Sequence, residues 1–258
     1  MDRILRNWNS NILSVHKSIY RRMGLRLEID LYKGVWIGYY GTGIGEMCMV
    51  QRICCGNVNC YLISNGKTGI LVDTGRKKYR QKILDALKPY DVRLLVLTHA
   101  HVDHIQNAAF LSNALGCPIA MHEADIPLIG DNMLQPLEAQ GILGKIVLSE
   151  SIKSFRKDQI PFFTPDISLK EGDSLEVYGI PARIISLPGH TQGSIGIDIM
   201  EKELIVGDAL MNMFYPTASM LYNDRDMMLQ SADKISSLGE RQIYFGHGKP
   251  KKNRSTWR

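Results

Sequence analysis

Three histidines and an aspartate fall within six residues of the stretch Thr98-His99-Ala100-His101-Val102-Asp103-His104. In extended backbone, residues two apart point the same way, so His99 and His101 can grip one metal ion. Asp103 and His104 stand where the chain turns. They face a different direction and can serve a second ion. Imidazole and carboxylate together suit zinc, and also iron or manganese. The elements that must position these groups flank them directly. Val92 to Leu97 is a short apolar run rich in branched residues, which reads as a buried strand. Ile105 to Leu115 carries apolar residues at helical spacing, with Gly116 and Pro118 as stop signals. The cluster therefore lies between the C-terminal end of a strand and a helix, a favoured place for ligand sites in a sheet.

Three further strand ends carry residues of the same kinds. Arg183 to Leu187 reads as a strand and runs into Pro188-Gly189-His190-Thr191-Gln192-Gly193-Ser194, where glycines let backbones pack closely around an ion. Leu204 to Val206 leads into Gly207-Asp208, and Ile243-Tyr244-Phe245 into Gly246-His247-Gly248. Earlier in the chain, Arg52 to Cys55 and Cys60 to Ser64 read as strands joined through the Asn65-Gly66 turn to a third, Gly69 to Val72. That third strand ends in Asp73-Thr74-Gly75, a polar end able to orient metal ligands.

The remaining segments read as scaffold. Tyr79 to Leu87 is an amphipathic helix through Ile83, Leu84 and Leu87, stopped by Pro89. Pro118 to His122 is a short strand. His122 is expected to be hydrogen-bonded at its end, since the site fills without it. Residues 125–165 hold scattered prolines and glycines and two helical patches, Met133 to Leu143 and Ile146 to Phe155. They read as an insertion that walls or covers a pocket, with Phe162-Phe163 used for packing. Leu175 to Tyr178 is read as a strand. Asp224 to Leu238 is read as a helix with Met227, Met228, Ala232, Ile235 and Leu238 on or near one face.

Composition narrows the class. The chain has 258 residues and 45% hydrophobic content, enough for a sizeable core. No apolar run approaches the roughly 20 residues that span a bilayer. Cys48, Cys54, Cys55, Cys60 and Cys117 are odd in number and form no C-x-x-C pair, which points to a reducing compartment, the cytoplasm. Cys54-Cys55 reads as two small residues on a strand. The net charge of +5 resides at the ends of the chain, while the body between residues 49 and 248 is mildly acidic, so nucleic acid is not the expected partner. Residues 1–48 read as an N-terminal extension, either a targeting segment or poorly ordered. Gly41-Thr42-Gly43-Ile44-Gly45 within it lacks the spacing of a phosphate-cradling loop. Residues 49–250 are expected to form the domain that holds the site, and 251–258 a basic tail outside it.

Taken in order, Asp73-Thr74-Gly75, the H-x-H-x-D-H of His99 to His104, Pro188-Gly189-His190-Thr191, Gly207-Asp208 and Gly246-His247-Gly248 resemble the metallo-β-lactamase fold superfamily over roughly residues 50–250. The resemblance implies an α/β fold, a four-layer αβ/βα sandwich with metals along one edge of its two sheets. It implies that His99, His101 and His190 hold one divalent ion, that Asp103, His104 and His247 hold a second, and that Asp208 bridges them. Zinc is the expected metal, with iron or manganese as alternatives. One departure is Gln106-Asn107, where many members have Gly-Gly.

The activity implied is that of a glyoxalase II-like hydrolase. A metal-bound hydroxide, oriented by Asp103, would attack a small ester, thioester or lactone. An aspartate at position 208, where familiar β-lactamases carry cysteine, disfavours β-lactam hydrolysis. Glyoxalase II itself has a C-terminal helical region with no counterpart in the eleven residues after His247. The lactonases have a tyrosine shortly after the bridging aspartate, whereas here Met211 stands three residues on and Tyr215 is displaced. Two alternatives stay open: a mononuclear iron sulfur dioxygenase, and a phosphodiesterase or ribonuclease-type hydrolase. The substrate and the oligomeric state are not specified by these residues.

Overall fold

The computed structural model describes residues 37–40 and 48–257. The Arg- and Asn-rich start of the chain and the Gly41–Gly45 turn lie outside the described residues. Strands β1 (Ile37–Tyr40), β2 (Cys48–Cys55), β3 (Val58–Ser64) and β4 (Thr68–Val72) form an antiparallel meander. Helix α1 (Arg80–Leu87) then leads into β5 (Asp91–Val96), which pairs parallel to β4. Two short helices follow, α2 (Val102–Ile105) and α3 (Ala108–Leu115), before β6 (Ile119–Met121). The short strand β7 (Glu138–Ala139) precedes the long helix α4 (Gly141–Lys157), and β8 (Ile167–Ser168) completes a seven-stranded sheet in the order β1-β2-β3-β4-β5-β6-β8.

The second sheet is built from β9 (Ala182–Ser186), β10 (Ile195–Ile199) and β11 (Glu203–Gly207), and from β15 (Gln242–Phe245) and β16 (Lys251–Lys252). Between β11 and β15 lie the short strands β12 (Leu210–Met211), β13 (Thr217–Ala218) and β14 (Leu221–Tyr222) and the helix α5 (Arg225–Ser237). Asp224 caps α5, its carboxylate accepting from the Met227 amide at 2.9 Å.

The four layers follow from which way side chains point along each strand. Every residue of β3 is buried. Tyr61 and Ile63 face the second sheet, joining Ile70, Val72, Leu94 and Val96 against Ile184, Ile195, Ile197 and Ile205. Val58, Cys60 and Leu62 face the other way, onto a layer formed by Ile83 and Leu87 of α1 and Leu111 of α3. On the outer face of the second sheet, Leu204, Val206 and Ile243 pack against Met228, Ala232 and Ile235 of α5. A strand buried on both faces reads as a continuous apolar run, as these do. The result is the αβ/βα sandwich that the resemblance implied. No helix among the described residues is long and apolar enough to cross a membrane.

Several local expectations need correction. Ile105 to Leu115 is not one helix: it breaks at Gln106-Asn107, whose side chains turn aside to bind neighbouring backbone. Leu175 to Tyr178 is not a strand. It forms a turn of 3-10 helix over Glu176–Tyr178, with Leu175 buried but Val177 80% exposed. The patch Met133 to Leu143 is not helical throughout, because β7 pairs with β14 across some 80 residues of chain and the helix begins only at Gly141. Phe163 is buried whereas Phe162 is exposed, so only one of that pair packs. Met228 is buried and Met227 largely exposed.

The boundaries expected for the two ends also shift. β1 lies within the stretch read as an extension, yet its backbone pairs along β2. The basic tail is part of the fold. Lys251–Lys252 pair with Gln242 and Ile243, and Trp257 is buried against Phe245 with its indole N–H donated to Asn253 at 2.8 Å. Trp257→Ala should therefore cost about 3–5 kcal/mol of unfolding free energy, the range for deleting a large buried aromatic side chain. Urea denaturation checks this, and a loss below about 1 kcal/mol would return the tail to solvent.

Glu203 generates a second expectation. It is buried in β11, where its Oε1 accepts the Tyr244 hydroxyl at 2.8 Å, and burial pushes its carboxyl up to about 7. The folded chain thus holds this proton more tightly than the unfolded chain. Its contribution to stability is complete below the ordinary glutamate range, falls as the pH rises, and is lost above about 7. Glu203→Gln should flatten the decline in stability between about pH 4.5 and pH 7, the window set by the ordinary and raised values, as followed by denaturant midpoints.

Candidate metal centre

The turn after β4 holds the first piece. Asp73 has a left-handed backbone, φ +58°, a conformation that non-glycine residues adopt at a cost. Its amide donates to Val96 of β5 at 2.9 Å, and its carboxylate accepts the Thr98 amide at 2.8 Å and the Thr98 hydroxyl at 2.9 Å. Thr98 Oγ1 in turn lies 3.1 Å from His99 Nδ1, and Asp73 Oδ2 lies 2.8 Å from His104 Nδ1. One carboxylate thereby anchors the far side of two imidazoles, one directly and one through a hydroxyl.

Two more histidines, His190 and His247, are anchored through backbone carbonyls. His190 Nδ1 lies 2.9 Å from the Leu221 carbonyl, and His247 Nδ1 lies 2.6 Å from that of Asn57. In each case the outer nitrogen is the donor, so Nε2 presents a lone pair to the interior. Asn59 holds the loop that carries His247 by donating to the Phe245 and Gly248 carbonyls at 2.9 and 2.8 Å.

These anchors bring all seven candidate residues together. The potential ligand atoms of His99, His101 and His190 lie within 4.8 Å of one another, as do those of Asp103, His104 and His247, and those of His99, His104 and Asp208. Asp208 stands between the first two groups. Its Oδ2 is 3.2 Å from His247 Nε2 and 3.6 Å from His190 Nε2, and its Oδ1 is 3.5 Å from His104 Nε2. Asp103 Oδ2 is 3.5 Å from His247 Nε2. The close approach depends on Gly246, where a Cβ would fall 2.0 Å from Asp208 Oδ1. His122 is not among them. Its Nδ1 accepts the Ala124 amide at 3.1 Å and caps the turn that follows.

The donor set fits metal ions. His99 Nε2, His101 Nε2, His104 Nε2 and Asp208 Oδ1 are buried without a hydrogen-bond partner, a costly state for polar atoms unless something else binds them. His101 Nδ1 and His190 Nε2 face each other at 3.0 Å, close to the roughly 3.3 Å between two nitrogens on one tetrahedral zinc. Electrostatics agree. Burial, with the neighbouring imidazoles, keeps His99 and His101 well below the ordinary histidine range, in the neutral form that ligates. Burial also opposes a charge on His104, but the Asp208 and Asp73 carboxylates outweigh it and raise it to about 10. Burial likewise opposes ionisation of Asp208, but His247, His104 and His190 hold it well below the usual carboxylate range. The buried carboxylates draw a cation into the site.

Several residues that hold the site were not singled out in the sequence. Asp125 is fully buried and accepts from the amides of Ala100 and Gly193 at 3.1 and 2.7 Å and from the Thr191 hydroxyl at 2.7 Å. It ties the His99–His101 strand end to the His190 loop, and a Cβ on Gly193 would fall 2.8 Å from it. Asn132 braces the His99–His101 turn alone, donating to the Ala100 and Leu128 carbonyls and accepting the Val102 amide. Asn107, where Gly-Gly was expected, donates to the Thr74 and Arg76 carbonyls at 2.8 Å, and so steadies the loop after Asp73. The Cys54-Cys55 pair takes no part, and all five cysteines are free thiols.

Asp125→Ala would leave the buried amides of Ala100 and Gly193 without an acceptor, at about 1–3 kcal/mol each. A loss of about 3 kcal/mol or more in urea unfolding is expected, together with faster metal loss on dialysis against a chelator. Unchanged stability and metal retention would show that the two strand ends are held by other means.

Comparison with known proteins places this geometry in a family. The family model for the metallo-beta-lactamase superfamily matches residues 55–247. An uncharacterized protein of Mycobacterium tuberculosis is 28% identical over 204 residues, spanning 74% of this chain and 85% of that one. The hydroxyacylglutathione hydrolase GloC of Haemophilus influenzae is 29% identical over 197 residues, spanning 74% of this chain and 85% of that enzyme. Among solved structures, the BLEG-1 B3 metallo-beta-lactamase superimposes with a TM-score of 0.63 at 22% identity, covering 79% of this chain and 94% of that one. With the family model matching most of its length, the chain belongs to the metallo-beta-lactamase superfamily.

Proposed function

We propose that the protein is a dinuclear metal-dependent hydrolase of a small ester, thioester or lactone. The observation that carries this reading is Asp208, a carboxylate rather than a thiolate standing between two His/Asp groups. Family and site support metal-dependent hydrolysis or oxidation, and the similarity to a hydroxyacylglutathione hydrolase favours the hydrolytic branch. His99, His101 and His190 would hold one ion and Asp103, His104 and His247 the other, with Asp208 shared. Two divalent ions bound there supply a water of lowered pKa, toward roughly 7, and a Lewis acid for a substrate oxygen.

The protein's own groups supply the rest. The ionised Asp103 can accept a hydrogen bond from an attacking water and orient it. The Asp73 and carbonyl anchors keep the imidazoles of His99, His104, His190 and His247 from rotating as charge moves through the site. A cavity of about 310 Å³ opens beside His101, Asp103, His190, Asp208 and His247, large enough for a small substrate. Helix α4, from the insertion between residues 125 and 165, forms one wall through Ile146, Val147 and Phe155.

Two outcomes are expected. Elemental analysis should find two metals per chain at saturation, with His247→Ala losing mainly one. One ion in both proteins would refute the dinuclear assignment. Asp208→Ala removes the shared anion and should reduce ester or lactone turnover by at least 10³-fold, since catalytic metal sites contribute several kcal/mol, while circular dichroism stays unchanged. Full turnover by chelated or Asp208→Ala protein would rule out the metal mechanism. Oxygen consumption with a persulfide and no hydrolysis would instead identify an iron oxygenase.

A further inference from the structure

The cavity beside the metal centre has two chemically distinct ends. One end is the cluster of imidazoles and carboxylates. The other is lined by Ile146, Val147 and Phe155 from α4 and by Met211, Met213 and Phe214 from the facing segment. Along α4, Ile146 and Val147 on one side of the lining and Phe155 on the other flank Glu150, Ser151 and Ser154, so the helix gives the cavity two apolar patches with a polar strip between them. Phe155 joins the two ends, because its ring lies 4.8 Å from that of His101 with the planes tilted by 31°.

Charge at the apolar end is already matched. Arg76 is the one lysine or arginine among the described residues that line the cavity, and its Nη1 is bound to Asp158 at 2.5 Å and to Ser154 at 2.9 Å. Glu150 at the rim pairs with Lys153 at 2.6 Å. The charge of the one cation in this wall is balanced by Asp158, so a carboxylate carried in on a substrate would have to compete with Asp158 for Arg76, and burying it unpaired is costly. The apolar lining also continues outward. Ile146 and Phe214 line the cavity and are each more than half exposed, so its mouth is greasy as well as its interior.

From this we infer that the cavity between α4 and residues 211–214 binds a neutral alkyl or acyl chain of the substrate, with Phe155 and Phe214 setting how much chain is held. The substrate class is a simple acyl ester, thioester or alkyl-substituted lactone whose chain has no terminal charge. The inference rests on the hydrolytic reading of the same site and narrows it. It separates this chain's substrate from acyl donors that are recognised through carboxylates.

The test uses the metal-loaded full chain and two assays. In the first, calorimetry measures binding of straight-chain methyl ketones, which cannot be hydrolysed, and of the same ketones carrying a terminal carboxylate. Affinity should rise about fourfold per methylene until the pocket is filled, the value for a buried CH₂. The terminal carboxylate should weaken binding at least tenfold. Phe214→Ala, at an exposed rim position, should lessen the gain for the outermost methylenes, and Phe155→Ala should shift the point of saturation. Affinity independent of chain length, or equal for charged and neutral chains, overturns the inference.

The second assay follows hydrolysis of acyl esters of increasing length. kcat/KM should climb with the same increments as ketone affinity. Hydrolysis without any length dependence defeats the acyl pocket and leaves the hydrolase reading intact. Length-dependent ketone binding with no hydrolysis of any ester defeats the hydrolase reading while supporting the pocket.

Discussion

A buried imidazole offers one nitrogen to an ion most reliably when its other nitrogen is held, and for four of the five site histidines this preference organises the sheet edge. Unanchored, the ring can turn its N–H inward and withdraw the lone pair. Asp73 answers this preference for His104 directly and for His99 through Thr98. Backbone carbonyls answer it for His190 and His247. The left-handed backbone of Asp73 is a cost of this arrangement, accepted because the same residue must pair with β5 and turn its carboxylate under the site.

The two sheets explain why so many polar groups can converge without collapsing the core. The layer between the sheets is mostly aliphatic, with the hydroxyls of Tyr61 and Tyr244 satisfied by Phe245 and Glu203, and the metal-ligand residues stand where the strands end. Each loop is then tied to another. Asn59 reaches from the first sheet to the His247 loop, and Asp125 joins the His99–His101 strand end to the His190 loop. The Arg76–Asp158 pair links the loop after Asp73 to the C-terminal end of α4, so the pocket wall and the metal centre share a support.

How much of this was legible in the sequence follows from how local each signal is. The metal groups were legible because His99 to His104 compress four ligand-type residues into one strand end, and the other pieces stand at strand ends bracketed by glycine. The sandwich was legible because strands buried on both faces leave continuous apolar runs. Asp125 and Asn132 were not, since a single polar residue in a mixed segment looks the same whether it faces water or a buried amide. The start of α4 and the fate of residues 251–257 depend on pairing with β14 and β15, which lie far away in sequence or depend on tertiary packing. Val177 shows the opposite failure, an apolar residue in a strand-like run that faces solvent while Leu175 and Tyr178 pack on the core.

The central claim is that Asp208 stands between two metal ions rather than beside one. Anomalous diffraction at the zinc edge, from crystals of the zinc-loaded protein, tests it most directly. Two peaks are expected, one within bonding distance of His99, His101 and His190 and the other of Asp103, His104 and His247, with Asp208 contacting both. A single peak at full occupancy, or two with Asp208 bound to neither, would contradict the account.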